Sequence, residues 1–229
     1  MALETRLVGR VTIVRCTGRI VAGSESDSLR EHITWLLNDR RAIVLHMGKV
    51  GFIDSSGLGS MVRVLNMTRR ANGELKLCNV PEHLLKVLQM ANLTKVFETH
   101  ESEEKAIAAF YGSGARAGTP DVTGPSVLCL DRNGDVLAYL REVLSRAGYD
   151  VQTISRMGDA LTLMRVTLPD LLLLGSDVTG SPATLQAFRA ACVGLPVIEL
   201  GCEFSTRHAG EASAGLLEEI KARLNPKTA

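Results

Sequence analysis

Three consecutive polar side chains, Asp54, Ser55 and Ser56, stand between an apolar run and a stretch with helical spacing. The pattern predicts a strand end that passes into a helix, with both hydroxyls at the helix N-terminus. Unpaired backbone amides and the positive end of the helix dipole stabilise negative charge there. A phosphate on serine could therefore be accommodated without melting the helix.

Other interpretations of this segment compete with a phosphorylation site. Asp54 or Ser55 could serve only as an N-cap, a role common for both residue types. A hydrolase using Ser55 or Ser56 is disfavoured, because a nucleophile elbow needs glycine two residues earlier, where Ile53 and Asp54 stand. A dinucleotide fingerprint fails because Val62 occupies the third glycine position. The histidines, which could supply a catalytic base, are scattered: His32, His46, His83, His100 and His208.

The first half of the chain is predicted to alternate strands and helices. Strands are expected at three apolar or β-branched runs: 11–20, 42–47 and 74–80. Helices are expected to start at residues typical of helix N-termini: Ser24, Ser55 or Ser56, Pro81 and Ser102. The second helix should bury one apolar stripe and end at Gly73: Leu58, Met61, Val62 and Leu65. This alternation predicts an α/β sandwich with helices shielding a sheet.

The outward face of the second helix is the predicted partner-binding surface. It holds the residues that fall opposite the core stripe: Ser60, Arg63, Val64, Met67 and Arg70. A solvated face with no partner is an equal alternative for the two arginines. Gly57 and Gly59 are expected to keep the surface beside the serines bare, so that a partner's backbone can approach. Trp35 also falls off the core face of its helix and is expected either at a contact or partly buried within the same domain.

The second half of the chain alternates more regularly. Strands are predicted at 126–130, 151–154, 170–174 and 196–200, and helices at 135–147, 157–167, 182–192 and 212–224. Continuous apolar runs predict strands buried on both faces, as in a doubly wound parallel sheet. Between the halves, residues 112–125 are rich in glycine and proline and predict a flexible linker.

Composition excludes several function classes. Residues 1–112 carry 15 basic and 12 acidic side chains, and residues 126–229 carry 10 and 12, so neither half predicts a nucleic-acid footprint. The cysteines are odd in number and scattered, which predicts buried thiols in a reducing cytosol with no disulfide or metal site: Cys16, Cys78, Cys129, Cys192 and Cys202. Early charges at Glu4, Arg6 and Arg10 predict no signal peptide, and the expected location is the cytoplasm.

The motif Asp54-Ser55-Ser56-Gly57-Leu58-Gly59 after an apolar strand resembles the switch motif of the STAS domain of anti-anti-sigma factors. The resemblance continues through 73–77, Val80-Pro81 and 93–97, and it covers about residues 5–110. It implies that Ser55, or less favourably Ser56, is phosphorylated by an anti-sigma factor kinase. It also implies that the unmodified protein binds this anti-sigma factor and releases a sigma factor. No cofactor is expected.

The second half resembles a response-regulator receiver domain at 140–151 and 168–174. By that resemblance the phosphorylation site is degenerate. Asp131 remains, but Arg132 replaces the second acid, Gly175 the acceptor and Gly201 the hydroxyl residue. Asp177 could substitute for the lost acceptor only if the strand register slipped. One carboxylate beside a guanidinium is a weak site for a divalent cation.

The sequence therefore predicts a STAS domain (1–111), a flexible linker (112–125) and a flavodoxin-like pseudo-receiver (126–229). The predicted function is that of an anti-sigma factor antagonist, a phosphorylation-controlled binding switch rather than an enzyme. A stressosome-like scaffold that sequesters a kinase is the alternative. Self-association into a homodimer stays open, and neither membrane nor nucleic acid is an expected partner.

Overall fold

The computed structural model describes residues 1–112, 124–176, 178–201 and 209–224. The chain divides into two compact units, Met1–Thr119 and Pro120–Ala229. Most of the predicted linker lies outside the described residues, as do Asp177, Cys202 and His208.

Over residues 1–112, the part of the first unit that the structure describes, there is one five-stranded sheet with four helices. Its elements are β1 Ala2–Val8, β2 Val11–Ile20, α1 Ser24–Leu36, β3 Ala42–Ile53, α2 Ser55–Arg70, β4 Glu74–Cys78, α3 Glu82–Met90, β5 Glu98–His100 and α4 Glu103–Gly112. The strand order is β1-β2-β3-β4-β5, with β1 antiparallel to β2 and the other pairs parallel. The α/β alternation predicted for this half is confirmed.

Two strands at the sheet edges were not predicted from the sequence. β1 forms because a two-residue turn at Gly9 and Arg10 folds it back on β2, with Val8 opposite Val11. Gly9 has a φ of 59°, as the first central position of a type II′ hairpin turn requires. The three-residue β5 forms at the opposite edge by pairing with β4.

β3 is twice as long as the predicted strand because two bulges carry it past residue 47. Its register with β2 shifts between Arg15 and Thr17 and again between Gly18 and Arg19. At each shift β3 has one residue more than β2, which is the definition of a bulge. Gly48 and Gly51 lie in these stretches. The extension brings β3 to Ile53, directly before α2.

The main core lies between the sheet and α1, α2 and α3. Leu29, Ile33 and Leu36 of α1 are buried there, with Leu84 and Leu88 of α3. Two details differ from the predictions. Gly23, not Ser24, is the N-cap of α1. Pro81 is the N-cap of α3, and the helix itself begins one residue later, at Glu82.

The end of α2 also differs from its prediction. The left-handed residue after the helix is Asn72, with a φ of 55°, and not Gly73. Gly73 instead permits close packing, since a Cβ there would lie 2.8 Å from the carbonyl oxygen of Arg41. Asparagine tolerates the left-handed region better than most residues, which explains why the helix can stop one position early.

The opposite face of the sheet is covered by α4. Ala106, Ile107 and Phe110 of this helix are buried, and the Lys76 ammonium lies 4.9 Å from the Phe110 ring centre. Lys76 is 2% exposed and bonds the carboxylates of Glu74 at 2.6 Å and Glu98 at 2.5 Å. Burial opposes ionisation of Glu98, but the hydrogen bonds and positive charges of Lys76 and His100 together outweigh it, so the pKa of Glu98 is lowered.

Within its described residues, the second unit is a four-stranded parallel sheet with helices. Its elements are β6 Ser126–Leu130, α5 Gly134–Arg146, β7 Asp150–Ile154, α6 Met157–Val166, β8 Leu171–Leu174, α7 Pro182–Ala191, β9 Val197–Glu199 and α8 Ala209–Leu224. The strand order is β7-β6-β8-β9. Alternate residues of β6 and β8 pack against α5 and α8, and the residues between them are also buried, so these strands are buried on both faces as predicted.

The predicted burial of the cysteines is confirmed for three residues and wrong for one. Cys16, Cys78 and Cys129 are buried, and burial raises the pKa of each thiol to about 12. Cys192 is only half-buried, because it caps the C-terminus of α7. Among the described residues, no helix has the length and hydropathy needed to span a membrane.

Candidate functional site

The Asp54 side chain fixes the start of α2. As N-cap, its Oδ1 accepts a bond of 2.6 Å from the Gly57 amide. Its Oδ2 accepts a bond of 3.3 Å from the Ala22 amide, in the loop between β2 and α1. The Asp54 amide itself donates to the Ile20 carbonyl. One residue therefore ties the helix start to the end of β2 and to the adjoining loop.

Ser55 and Ser56 occupy the first two positions of α2, and both are exposed. The cap is supplied by Asp54, so neither hydroxyl is needed to begin the helix. The amides of these two residues have no acceptor within the helix, as is general for a first turn. The first turn also contains no acidic residue. An anion on either hydroxyl would thus meet a favourable helix end.

The two glycines of the motif have different surroundings. Gly57 is buried, and a Cβ there would lie 2.7 Å from the carbonyl carbon of Ile20. The prediction that Gly57 keeps the outer surface bare is therefore wrong, because its missing side chain lets α2 pack on the end of β2. At Gly59, a Cβ would meet nothing within 4 Å. Gly59 alone retains the predicted role.

The outward face of α2 matches its prediction in part. Arg63 and Arg70 are exposed, while Ser60 and Met67 are half-buried at its border. Val64 was predicted on this face but is completely buried. Because α2 packs against both the sheet and α1, its buried arc is wider than that of a helix lying on a sheet alone.

The sequence interpretation missed two exposed residues, one on the outward face of α2 and one near the end of β3. Asn66 lies on the outward stripe between Arg63 and Arg70. Phe52 was interpreted only as part of an apolar strand end, but its side chain is 52% exposed. It pairs with Arg19 just after the second bulge, which breaks the alternation of inward and outward side chains. The glycine at 51 was the one available signal for that break.

The first turn of α1, which follows the loop bonded by Asp54, carries a carboxylate. Hydrogen bonds from the backbone amide of Glu25 and from the Ser24 hydroxyl lower the pKa of Glu25. This acid stays ionised at neutral pH and contributes negative charge to the start of α1. The surface formed by the start and outward face of α2 and the end of β3 has the following exposed or open positions: Ser55, Ser56, Phe52, Gly59, Arg63 and Arg70.

Comparison with known proteins finds relatives of the first unit. Residues 2–106 match the family model of the STAS domain, and this matched region is called the STAS domain from here on. A match at 27% identity over 99 residues links the chain to BtrV of Bordetella bronchiseptica, a candidate anti-sigma factor antagonist, covering 43% of this chain and 85% of BtrV.

Two further relatives were found. The anti-sigma F factor antagonist of Paenibacillus polymyxa is 29% identical over 99 residues, or 42% of this chain and 84% of that protein. Among solved structures, the anti-sigma factor antagonist SpoIIAA in its unphosphorylated form is 22% identical with a TM-score of 0.40, covering 48% of this chain and 99% of that chain.

Outside the STAS domain, the second unit has a comparable passage from strand to helix after β6. Asp131 Oδ1 accepts a bond of 2.6 Å from the Asn133 amide, and Asn133 is the N-cap of α5. Arg132 reaches the Thr179 hydroxyl at 3.4 Å. A Cβ on Gly175 would lie 2.6 Å from Asp131 Cγ, so the Asp131 carboxyl group fills the space beside this glycine. Gly201 is exposed after β9.

Proposed function

We propose that the protein is an anti-sigma factor antagonist, with the STAS domain as a binding switch controlled by phosphorylation of Ser55. The observation that carries this proposal is that different residues form the start of α2 and present hydroxyls to solvent. Asp54 caps the helix and Gly57 packs it, while Ser55 and Ser56 remain exposed. The hydroxyls are therefore available for modification without loss of the fold. The names of BtrV and of the Paenibacillus polymyxa relative support the same function.

A phosphoserine at this position would act by electrostatics. It carries about −1.5 to −2 charges, and the surface around it is otherwise suited to close contact through Phe52 and Gly59. An unpaired polar group buried in an interface costs about 1–3 kcal/mol by mutational measures, and burying a phosphate charge without a counter-charge costs more than that. The unmodified protein binds the anti-sigma factor kinase, and the modified protein releases it.

We also propose that the second unit is a receiver-like domain that has lost its phosphoacceptor and serves docking or dimerisation. Its strand order, β7-β6-β8-β9, supports this, since flavodoxin-like sheets have the order 2-1-3-4-5. Gly175 has no carboxylate to offer at the end of β8. The proposed location of the whole chain is the cytoplasm, and its action is binding rather than catalysis.

Phosphate mapping tests the proposed switch. The full chain is incubated with ATP and candidate anti-sigma factor kinases, and the modified residue is identified by mass spectrometry. We expect phosphate on Ser55, unchanged labelling of Ser56→Ala and no labelling of Ser55→Ala. Labelling elsewhere, or none with any kinase that co-purifies, would contradict the proposal. Recovery in a megadalton particle would favour the scaffold alternative.

A further inference from the structure

The outer edge of β1 offers unpaired backbone groups. Val8 and Val11 close the two-residue hairpin and form a hydrogen-bonded pair, after which such pairs alternate along the ladder. The amides and carbonyls of Leu3, Thr5 and Leu7 therefore point away from β2. Among the described residues, no backbone bond from another element reaches these three. An open strand edge is a template for pairing with another strand.

The sequence of this edge is complementary to itself. Residues 3–7 read Leu-Glu-Thr-Arg-Leu, with charges of opposite sign placed symmetrically about Thr5. If two β1 strands pair antiparallel with Thr5 opposite Thr5, the outward-pointing backbone groups of Leu3, Thr5 and Leu7 can all hydrogen-bond to the second strand. Glu4 of each copy then lies opposite Arg6 of the other, in a pair where the side chains approach closely.

The neighbouring registers are disfavoured by charge. Only residues whose backbone groups point away from β2 can hydrogen-bond to a second copy. The register between the two strands can therefore change only by two residues at a time, so that Leu3, Thr5 and Leu7 always pair among themselves. The step on one side places Glu4 opposite Glu4, and the step on the other places Arg6 opposite Arg6. Like charges directly opposite each other are destabilising. The centred register is also the longest of the three.

We infer that β1 is a homodimerisation strand, which joins two STAS domains into a continuous ten-stranded sheet. The occupant of the edge is a second copy of this chain, and the inference does not depend on Ser55. Arg6 already bonds Glu103, but a guanidinium has five donors and can bridge to a second carboxylate. The symmetric register makes both ends of the interface identical, as a two-fold dimer requires.

An exposed aromatic side chain lies beside the same edge. The Thr5 hydroxyl and the His32 ring are hydrogen-bonded at 2.6 Å, so α1 lies next to the middle of β1. The Trp35 ring is 6.3 Å from the His32 ring and is 67% exposed. Tryptophan is enriched in protein interfaces. The contact can therefore extend from the strand to α1.

The test is the mass of the full chain in solution, measured by sedimentation over a wide concentration range. We expect a reversible monomer–dimer equilibrium. Glu4→Gln should weaken dimerisation slightly and Glu4→Lys by roughly tenfold or more, because two attractive cross-strand pairs become repulsive. Thr5→Pro should abolish the dimer, since it removes the central amide while the bonds to β2 remain. Glu82→Lys makes the same charge change on α3 and should have no effect.

The lone tryptophan supplies a second measurement on the same samples. Trp35 should become less accessible to a fluorescence quencher as the dimer forms, and Thr5→Pro should stay fully accessible at all concentrations. Melting temperatures of each variant separate loss of dimer from loss of fold, which matters because Glu4 lies opposite Arg15 within the sheet. A monomer at every concentration, or a dimer unaffected by Glu4→Lys and Thr5→Pro in folded protein, would overturn the inference.

Discussion

Each unit passes from a buried strand into a helix through a segment that contains an acid and a glycine. In the STAS domain this is Asp54 to Gly57, and in the second unit it is Asp131 to Gly134. Asp54 bonds forward to the helix amide and across to the neighbouring loop, which leaves two serines exposed. Asp131 bonds within its own turn and fills the space beside Gly175.

The difference shows that an acid at the end of a strand does not by itself make a phosphorylation site. The first helix begins with exposed hydroxyls and no acid in its first turn. The second begins with Asn133 as N-cap and has Asp135 in its first turn, which already satisfies the positive helix end. The first helix start has one carboxylate, the Asp54 cap, followed by two exposed hydroxyls, whereas the second has an acid within the first turn itself.

The largest effect is expected from a methyl group at Gly57. Gly57→Ala places a Cβ against the Ile20 backbone, which cannot move aside as a side chain can, so the STAS domain should lose roughly 1–3 kcal/mol or more. Gly59→Ala is the matched control, and should gain up to about 1 kcal/mol of helix stability because its Cβ meets open space. Denaturant unfolding of both variants measures this. Equal stabilities would contradict the assigned packing role of Gly57.

A smaller effect is expected from restoring an acid beside Asp131. Gly175→Asp should destabilise the second unit by up to roughly 1–3 kcal/mol, less than Gly57→Ala, since the obstacle is a side chain able to rotate. Adding Asp131→Ala should recover part of that loss, a coupling that a double-mutant cycle detects. Acetyl phosphate with Mg²⁺ should leave the wild-type unit unlabelled. Phosphate on wild-type Asp177 would overturn the proposed loss of the phosphoacceptor.

The smallest effect is expected on the outward face of α2. Replacing Arg63 and Arg70 with Glu should slow association with an acidic partner surface and reduce its salt dependence, with little change in melting temperature. Stopped-flow association at several salt concentrations measures both quantities. If rates are unchanged, this face is plain solvated surface, and contact with the partner is confined to the helix start.

Sequence patterns predicted the structure correctly where local signals and tertiary packing agree. The apolar runs of β6 and β8 are buried on both faces, so length and composition alone identify them. The Asp54 cap was also predictable, since an acid before a helical stripe is a local signal. The predicted phospho-switch on Ser55 remains a prediction.

The features that the sequence did not predict all depend on tertiary contacts. β1 and β5 are edge strands whose pairing depends on a neighbour, and β1 further needs the turn at Gly9. The far end of β3 contains Gly48 and Gly51, which in the sequence are typical of a turn but in the structure lie at β-bulges. Val64 is buried because a second helix widens the covered arc of α2, a fact that helical spacing within α2 does not contain.

The central claim is that charge at Ser55 controls partner binding while the fold is unaffected. Calorimetric titration of the anti-sigma factor kinase into wild type, Ser55→Ala, Ser55→Asp and Ser56→Asp tests it most directly. We predict wild-type affinity for Ser55→Ala and a loss of at least about 1–3 kcal/mol for Ser55→Asp, or roughly five- to 150-fold. Ser56→Asp should have the smaller effect. Equal affinities for wild type and Ser55→Asp would contradict the switch.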